Sequence, residues 1–248
     1  MGLKTKKFKN WIISYLNEAE LDEMLKELYE KKYYDWQSSK SDPVIFDVGA
    51  LIGETVLYFK ELYPKARITA FEPSPRSFKL LERNVSQNHL SNVRLINVAV
   101  AKNNGKMNFY ISKSENNPWG RGDSLKENRF NNKKKSKVIK VSTVKLSDYI
   151  KEKIDLLKLD IEGAETEVIQ EIEPRLKHVK QIILEFHASV YNPENSLPKI
   201  MEILKKHGFK TKIYLSRWLL PNFAASSILI FLSILKIDEY WLRIYAKH

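Results

Sequence analysis

The chain has 248 residues, 42 Lys and Arg against 30 Asp and Glu, a net charge of +12, and no cysteine. That length suits one α/β domain with a large core plus an appendage. The lack of cysteine excludes disulfides, thiolate metal ligation and a cysteine nucleophile, and it fits a reducing, cytoplasmic setting. The positive balance admits nucleic acid, an anionic membrane or an acidic glycan as partner. The lysines are scattered over predicted helices and loops rather than gathered in one stripe, which favours simple solubility.

Met1 to Asn10 is basic, but the apolar run Trp11 to Leu16 is too short for a secretory leader before Asn17 and Glu18. Asn17 with Glu20 reads as a capping box, and Leu21, Met24, Leu25 and Leu28 form a helical stripe. A helix over roughly 18–31 is predicted, packed on the main domain or covering its site. Residues 31–42 are polar and aromatic, and Pro43 marks the entry to the domain. The expected organisation is an N-terminal helical extension, 1–42, and a domain, 43–248, with a long insertion at 102–149.

Val44-Ile45-Phe46-Asp47-Val48 reads as a buried strand. Gly49-Ala50-Leu51-Ile52-Gly53 follows, and Glu54-Thr55 opens a helix that Pro64 stops. Strand, glycine turn and helix start form a nucleotide-type site, where backbone N–H groups face a ligand. Leu51 stands at the middle glycine position of the phosphate fingerprints and no Gly-Lys-Ser/Thr follows, which argues against a pyrophosphate or ATP site. Asp47 suits a cationic or hydroxyl-bearing ligand instead.

Arg67 to Phe71 reads as the second strand, ending at Glu72-Pro73-Ser74-Pro75. Glu72 follows Asp47 by 25 residues, close to the roughly 20 of a βαβ unit whose second acid holds ribose hydroxyls. Against this stands a plain helix start, with Ser74 as cap and Pro75 in the first turn. Pro75 to His89 is the next helix, with Phe78, Leu81 and Val85 inward. Val93 to Val100 is the third strand, ending at Val98-Ala99.

Met107 to Ile111 and Val138 to Val144 read as strands paired with each other. Between them, 112–137 is polar, and Trp119, flanked by Pro118 and Gly120, is a candidate substrate lid. Ile154 to Asp160 is the fourth core strand, with a helix from Glu162 to Pro174. Gln181 to Phe186 is the fifth strand, Ser196 to Lys206 a helix, and Lys210 to Tyr214 the sixth strand. Ser226 to Leu232 is expected as the seventh, and Ile237 to Lys247 as a terminal helix. Ala224 to Leu235 is the longest apolar stretch, 12 residues with three serines, short of the about 20 that a spanning helix needs. The alternation predicts an α/β fold of the Rossmann-like kind: seven mostly parallel strands with helices on both faces.

Three ordered motifs carry a resemblance: Asp47-Val48-Gly49-Ala50-Leu51-Ile52-Gly53-Glu54-Thr55, Phe71-Glu72-Pro73-Ser74-Pro75, and Leu156-Leu157-Lys158-Leu159-Asp160-Ile161-Glu162-Gly163-Ala164-Glu165. Over roughly 43–214 the chain resembles the FkbM family of S-adenosylmethionine-dependent methyltransferases, whose usual Asn is Leu51 here. The resemblance implies a class I methyltransferase sheet with S-adenosyl-L-methionine bound by Asp47, Gly49, Ala50, Gly53, Glu54, Thr55, Glu72 and Pro73, and with Val98 and Ala99 beside the adenine.

Ligands in open α/β sheets bind beyond the carboxyl ends of the strands. Asp160, Glu162, Glu185 and His187 lie at the ends of the adjacent fourth and fifth strands. His187 is the candidate base, Asp160 and Glu185 orient substrate and imidazole, and Glu162 with Trp119 contacts substrate. Glu165 reads as a helix N-terminal acid favoured by the dipole. The same Asp, Glu and His suit Mg²⁺ or Mn²⁺, but no ligand spacing demands an ion, and a metal-free site is the expectation. The expected reaction is O-methylation of a small-molecule or glycan hydroxyl. The alternatives are an RNA methyltransferase using the basic surface, and a non-catalytic binding protein on the same fold.

Overall fold

The computed structural model describes residues 2–112, 121–127, 136–189, 192–215, 218–220 and 239–248. Its first element is a hairpin that sequence reasoning did not foresee. Strands β1 (Lys4–Phe8) and β2 (Trp11–Tyr15) pair antiparallel about a turn with Lys9 at φ 52°. The alternation in Trp11 to Tyr15 buries Ile13 and Tyr15 against Leu21, Met24, Ile52, Leu57 and Leu80. The extension is therefore not purely helical. Helix α1 (Glu18–Leu25) starts at Asn17, whose side chain accepts from Ala19 N and Glu20 N, and runs on as a π-helical turn over Lys26–Glu30.

The domain proceeds as strand β3 (Val44–Val48), helix α2 (Glu54–Leu62), strand β4 (Arg67–Phe71), helix α3 (Pro75–Gln87), and strands β5 (Val93–Ile96) and β6 (Ala99–Val100). The expected third strand is thus split at Asn97 and Val98. Asn97 Nδ2 donates 2.7 Å to Glu72 O, and β6 peels away to join the insertion. There β7 (Gly105–Ser112) and β8 (Ser136–Val144) pair antiparallel, as expected from their sequence, and make a separate three-stranded sheet with β6. Strand β9 (Leu156–Leu159), helix α4 (Glu165–Glu171), strand β10 (Gln181–Ser189), helix α5 (Leu197–Lys206), strands β11 (Lys210–Leu215) and β12 (Trp218–Leu220), and strand β13 (Glu239–Lys247) complete the chain.

The main sheet has eight strands in the order β12-β11-β13-β10-β9-β3-β4-β5. Strands β10, β9, β3, β4 and β5 are parallel, and β13 runs antiparallel between β10 and β11. The expected terminal helix is therefore a strand over 239–247. Leu242, Ile244 and Ala246 point into the core with Ile213 while Arg243, Tyr245 and Lys247 point the other way, a period of two that no helix satisfies. The expected strand at 226–232 lies outside the described residues. Two hydrophobic layers sandwich the sheet. One packs Val168, Ile169, Ile200 and Leu204 on one face, and the other packs Val56, Phe59, Leu81 and Trp36 on the opposite face. No described helix is long and apolar enough to cross a membrane.

Candidate active site

The cleft opens where β3, β4, β9 and β10 end. Its near half is built mostly from backbone. Gly49 takes φ 84°, and a Cβ there would sit 1.8 Å from Asp160 O, so the neighbouring strand end dictates the glycine. Gly53, at φ 91°, faces Leu81 Cδ1, which a Cβ would approach to 2.6 Å; its glycine answers helix packing. Leu51 adopts a left-handed φ of 46°, a conformation that asparagine or glycine tolerates better. That twist aims Leu51 N at Glu72 Oε2, 2.9 Å away, while Ser74 N donates 2.8 Å to Glu72 Oε1. Burial pushes the Glu72 carboxyl up to about 8 in spite of these two N–H donors. Gly49, Glu54, Thr55, Glu72, Pro73, Val98 and Ala99 all line the cleft.

Three motif residues do not. Asp47 is fully buried behind the turn, where it accepts from Thr55 Oγ1 and lies 3.2 Å from Lys158 Nζ. Its acid therefore braces the turn and is not presented to a ligand. Ala50 is fully buried, its N–H spent on Phe71 O at 3.0 Å, and Gly53 is covered by α3. Lys158 donates to Gly49 O. Burial opposes its charge, but Asp47 and Asp160 hold its pKa above the usual lysine value.

The far half is made of side chains. His187, on β10, is buried, with Nδ1 3.0 Å from Glu165 Oε1 and Nε2 turned to Glu162 Oε2 at 3.2 Å, Glu185 Oε1 at 3.4 Å and Asp160 Oδ1 at 3.8 Å. Glu165, at the start of α4, meets Nδ1, while Glu185, expected to orient the imidazole, lies on its Nε2 side. Glu165 is itself fixed by Gly163 N at 2.8 Å and by Asn195 Nδ2, and Asn195 Nδ2 also reaches His187 O at 2.8 Å. Burial alone would raise Glu165, yet the imidazole bond holds it below the usual carboxylate range. Glu185 behaves alike: burial is outweighed by His187, Arg243 and Arg121, and its pKa falls to about 2. Asp160 is raised, first by burial and then by the Glu185 charge. Glu54, at the cleft wall, is pushed by burial to about 7.

Sequence reasoning passed over three further wall residues. Tyr34, from the extension, is buried with its hydroxyl 3.3 Å from both Asp160 Oδ2 and Glu185 Oε2. Arg121 grips Glu27 through two bonds of 2.9 and 2.8 Å, fastening the insertion to the extension. Asp123 lies buried 3.6 Å from Arg76. For Glu165 a signal existed, three residues past Glu162 inside a quoted motif; for Tyr34 nothing local marked it. Trp119 lies outside the described residues.

The family model described as "Methyltransferase FkbM domain" matches residues 47–211, more than half of the chain. The chain belongs to the FkbM methyltransferase family. Among its relatives is "Methyltransferase sdnD" of Sordaria araneosa, 29% identical over 239 residues that cover 84% of this chain and 90% of the relative. "2-O-methyltransferase NoeI" of Sinorhizobium fredii (strain NBRC 101917 / NGR234) is 30% identical, covering 66% of this chain and 72% of that protein. The crystal structure of a methyltransferase FkbM from Methylobacillus flagellatus KT shares the fold at a TM-score of 0.51 and 14% identity, over 85% of this chain and 44% of that one. As a family member the chain is an S-adenosylmethionine-dependent methyltransferase.

Proposed function

We propose that the chain moves the methyl group of S-adenosylmethionine to an uncharged hydroxyl of a small molecule or glycan, with His187 as general base. The carrying observation is the imidazole clamped at Nδ1 by Glu165, with Nε2 turned to Glu162, Glu185 and Asp160, the carboxylates that line the cleft beside it. A carboxylate at Nδ1 fixes the ring, and the carboxylates around it favour the imidazolium that forms as Nε2 takes the hydroxyl proton. Bound cofactor supplies an electrophilic sulfonium methyl. Glu72 would hold the ribose hydroxyls, and Val98, Ala99 and Phe71 would sandwich the adenine; the buried acid and the apolar walls of the cleft fit such a nucleoside. Asp160 and Glu185, tied together by the Tyr34 hydroxyl, orient the acceptor, and Glu162 contacts it. Positioning of this kind supplies much of the rate of a displacement.

The lining also speaks to the acceptor's charge. Among the described residues, Arg121 is the only Lys or Arg lining the cleft, against Glu27, Glu54, Glu72, Asp123, Asp160, Glu162 and Glu185. Since Arg121 is bound to Glu27, phosphate- or carboxylate-bearing acceptors, RNA included, would meet repulsion. That NoeI is named a 2-O-methyltransferase supports the hydroxyl reading.

A second reading rests on the same residues: one ligand atom each from Asp160, Glu185 and His187 lies within 4.8 Å of the others, a set that suits Mg²⁺ or Mn²⁺. The test is methyl transfer from labelled S-adenosylmethionine to neutral, phosphorylated and carboxylated forms of one hydroxyl acceptor, with and without chelator. Base catalysis expects turnover of the neutral form only, unaffected by chelator. Loss of turnover on chelation, restored by Mg²⁺, would transfer the role of these side chains to metal binding.

A further inference from the structure

We propose that the groove on the far side of the Tyr33–Trp36 segment from the catalytic cleft docks the enzyme on an anionic membrane surface. Strands β11 and β13 pair so that Lys210 faces Lys247, Lys212 faces Tyr245 and Tyr214 faces Arg243. Directly opposed residues share a sheet face, so one face of this ribbon reads Lys, Lys, Tyr against Lys, Tyr, Arg. The other face, with Ile213, Leu242, Ile244 and Ala246, is closed by core packing. Lys210, Lys212 and Lys247 are exposed. Like charges directly opposite one another are unfavourable in a sheet, and Lys210 against Lys247 is such a pair. The arrangement costs stability unless something negative lies over it.

The rest of the groove continues the theme. Lys31, Lys32 and Lys205 join its rim, opposed by Glu30, Asp35 and Glu202. Among the described residues, Lys32, Lys205, Lys210, Lys212 and Lys247 enter none of the ion pairs that engage Lys6, Lys9, Lys40, Lys126, Lys158 and Lys206. The scattered lysines of the sequence are thus partly gathered onto one face by the fold.

Two observations favour a lipid surface over a nucleic acid. The groove's rings are committed to protein partners: Arg243 stacks on Tyr33, Tyr214 packs edge-on against Tyr245, and Trp36 leans on Tyr63. Bases would need such rings open for stacking. What the groove leaves exposed is lysine, and each basic residue near an anionic leaflet adds to binding.

Co-sedimentation with phosphatidylcholine vesicles containing roughly one-third phosphatidylserine tests this, against pure phosphatidylcholine. Binding is expected only to the anionic vesicles and is lost in high salt. The triple variant Lys210→Glu, Lys212→Glu, Lys247→Glu should bind at least about tenfold more weakly, while Lys102→Glu, Lys106→Glu, Lys140→Glu, of equal net charge, should change binding by no more than about twofold. A Gln version of the groove triple, checked for S-adenosylhomocysteine binding by calorimetry, must weaken vesicle binding in the same direction with its cofactor site intact. Equal loss from both Glu triples, no binding to anionic vesicles, or binding to single-stranded RNA alone through the groove lysines overturns the proposal.

Discussion

The two halves of the cleft are built by different means. The half at β3 and β4 is a backbone device: one glycine turn, one left-handed leucine and one glutamate whose oxygens are both held by N–H groups within a few residues of the strand ends. The half at β9 and β10 is a side-chain device, in which Tyr34, Asp160, Glu165, Glu185, His187 and Asn195 come from five separate stretches of chain. The first arrangement depends on the backbone of the turn and on how β3 sits between β4 and β9. The second depends on the register of β9 against β10 and on how α4 and the extension dock.

Breaking the side-chain half should have the largest effect. His187→Ala is expected to lower methyl transfer about 10²–10⁴-fold while S-adenosylhomocysteine affinity, read by calorimetry, stays nearly unchanged. Glu165→Gln keeps the shape and removes the charge. It should lower turnover about 10–100-fold, since partners that orient a working histidine typically matter by that much, and it should move the acid limb of the pH–rate profile to lower pH because the imidazolium loses its counter-charge. An Ala variant of His187 that also lost cofactor binding would show the two halves to be one structural unit.

In the backbone half, Glu72→Ala should weaken S-adenosylhomocysteine by about tenfold or more, through loss of two hydrogen bonds of about 0.5–1.5 kcal/mol each. Unchanged affinity would move the cofactor elsewhere. Glu72 also carries a stability signature. Its carboxyl is raised from 4.5 to about 8 on folding. Between those values the folded state keeps a proton that the unfolded state has lost, so stability falls as pH rises through that window. Glu72→Gln should abolish this fall and raise Tm by several degrees at pH 8, measured by differential scanning fluorimetry without cofactor. A Tm that tracks the parent protein across pH 5–8 would contradict a buried, protonated Glu72.

The smallest expected effect is at Leu51. Left-handed backbone costs a leucine about 1–2 kcal/mol, and Leu51 packs partly against the cluster of Ile13, Leu21 and Ile52. Leu51→Asn trades strain for contact and should raise Tm by about 2–4 °C or less. A fall instead would mean that packing outweighs strain at this turn.

Read from sequence alone, the glycine turn, the acid ending β4 and the strand–helix alternation sufficed for the fold class and pointed to residues that line the near half of the cleft, because these features depend largely on neighbours within a few residues. Glycine and proline restrict backbone angles locally, and alternating burial is written in the residue order. The β1–β2 hairpin and the strand character of 239–247 were not read, the latter because the gap between β10 and β11 that takes this segment up as a strand is set by tertiary structure. Asp47 looked like a ligand-facing acid until Lys158 and Thr55 were found against it. Tertiary structure alone decided which carboxylate meets His187 Nδ1, that a tyrosine 126 residues before Asp160 bridges it to Glu185, and that lysines far apart in the chain share one sheet face. Each is a contact between distant residues, and nothing in the local preferences of either partner encodes the other.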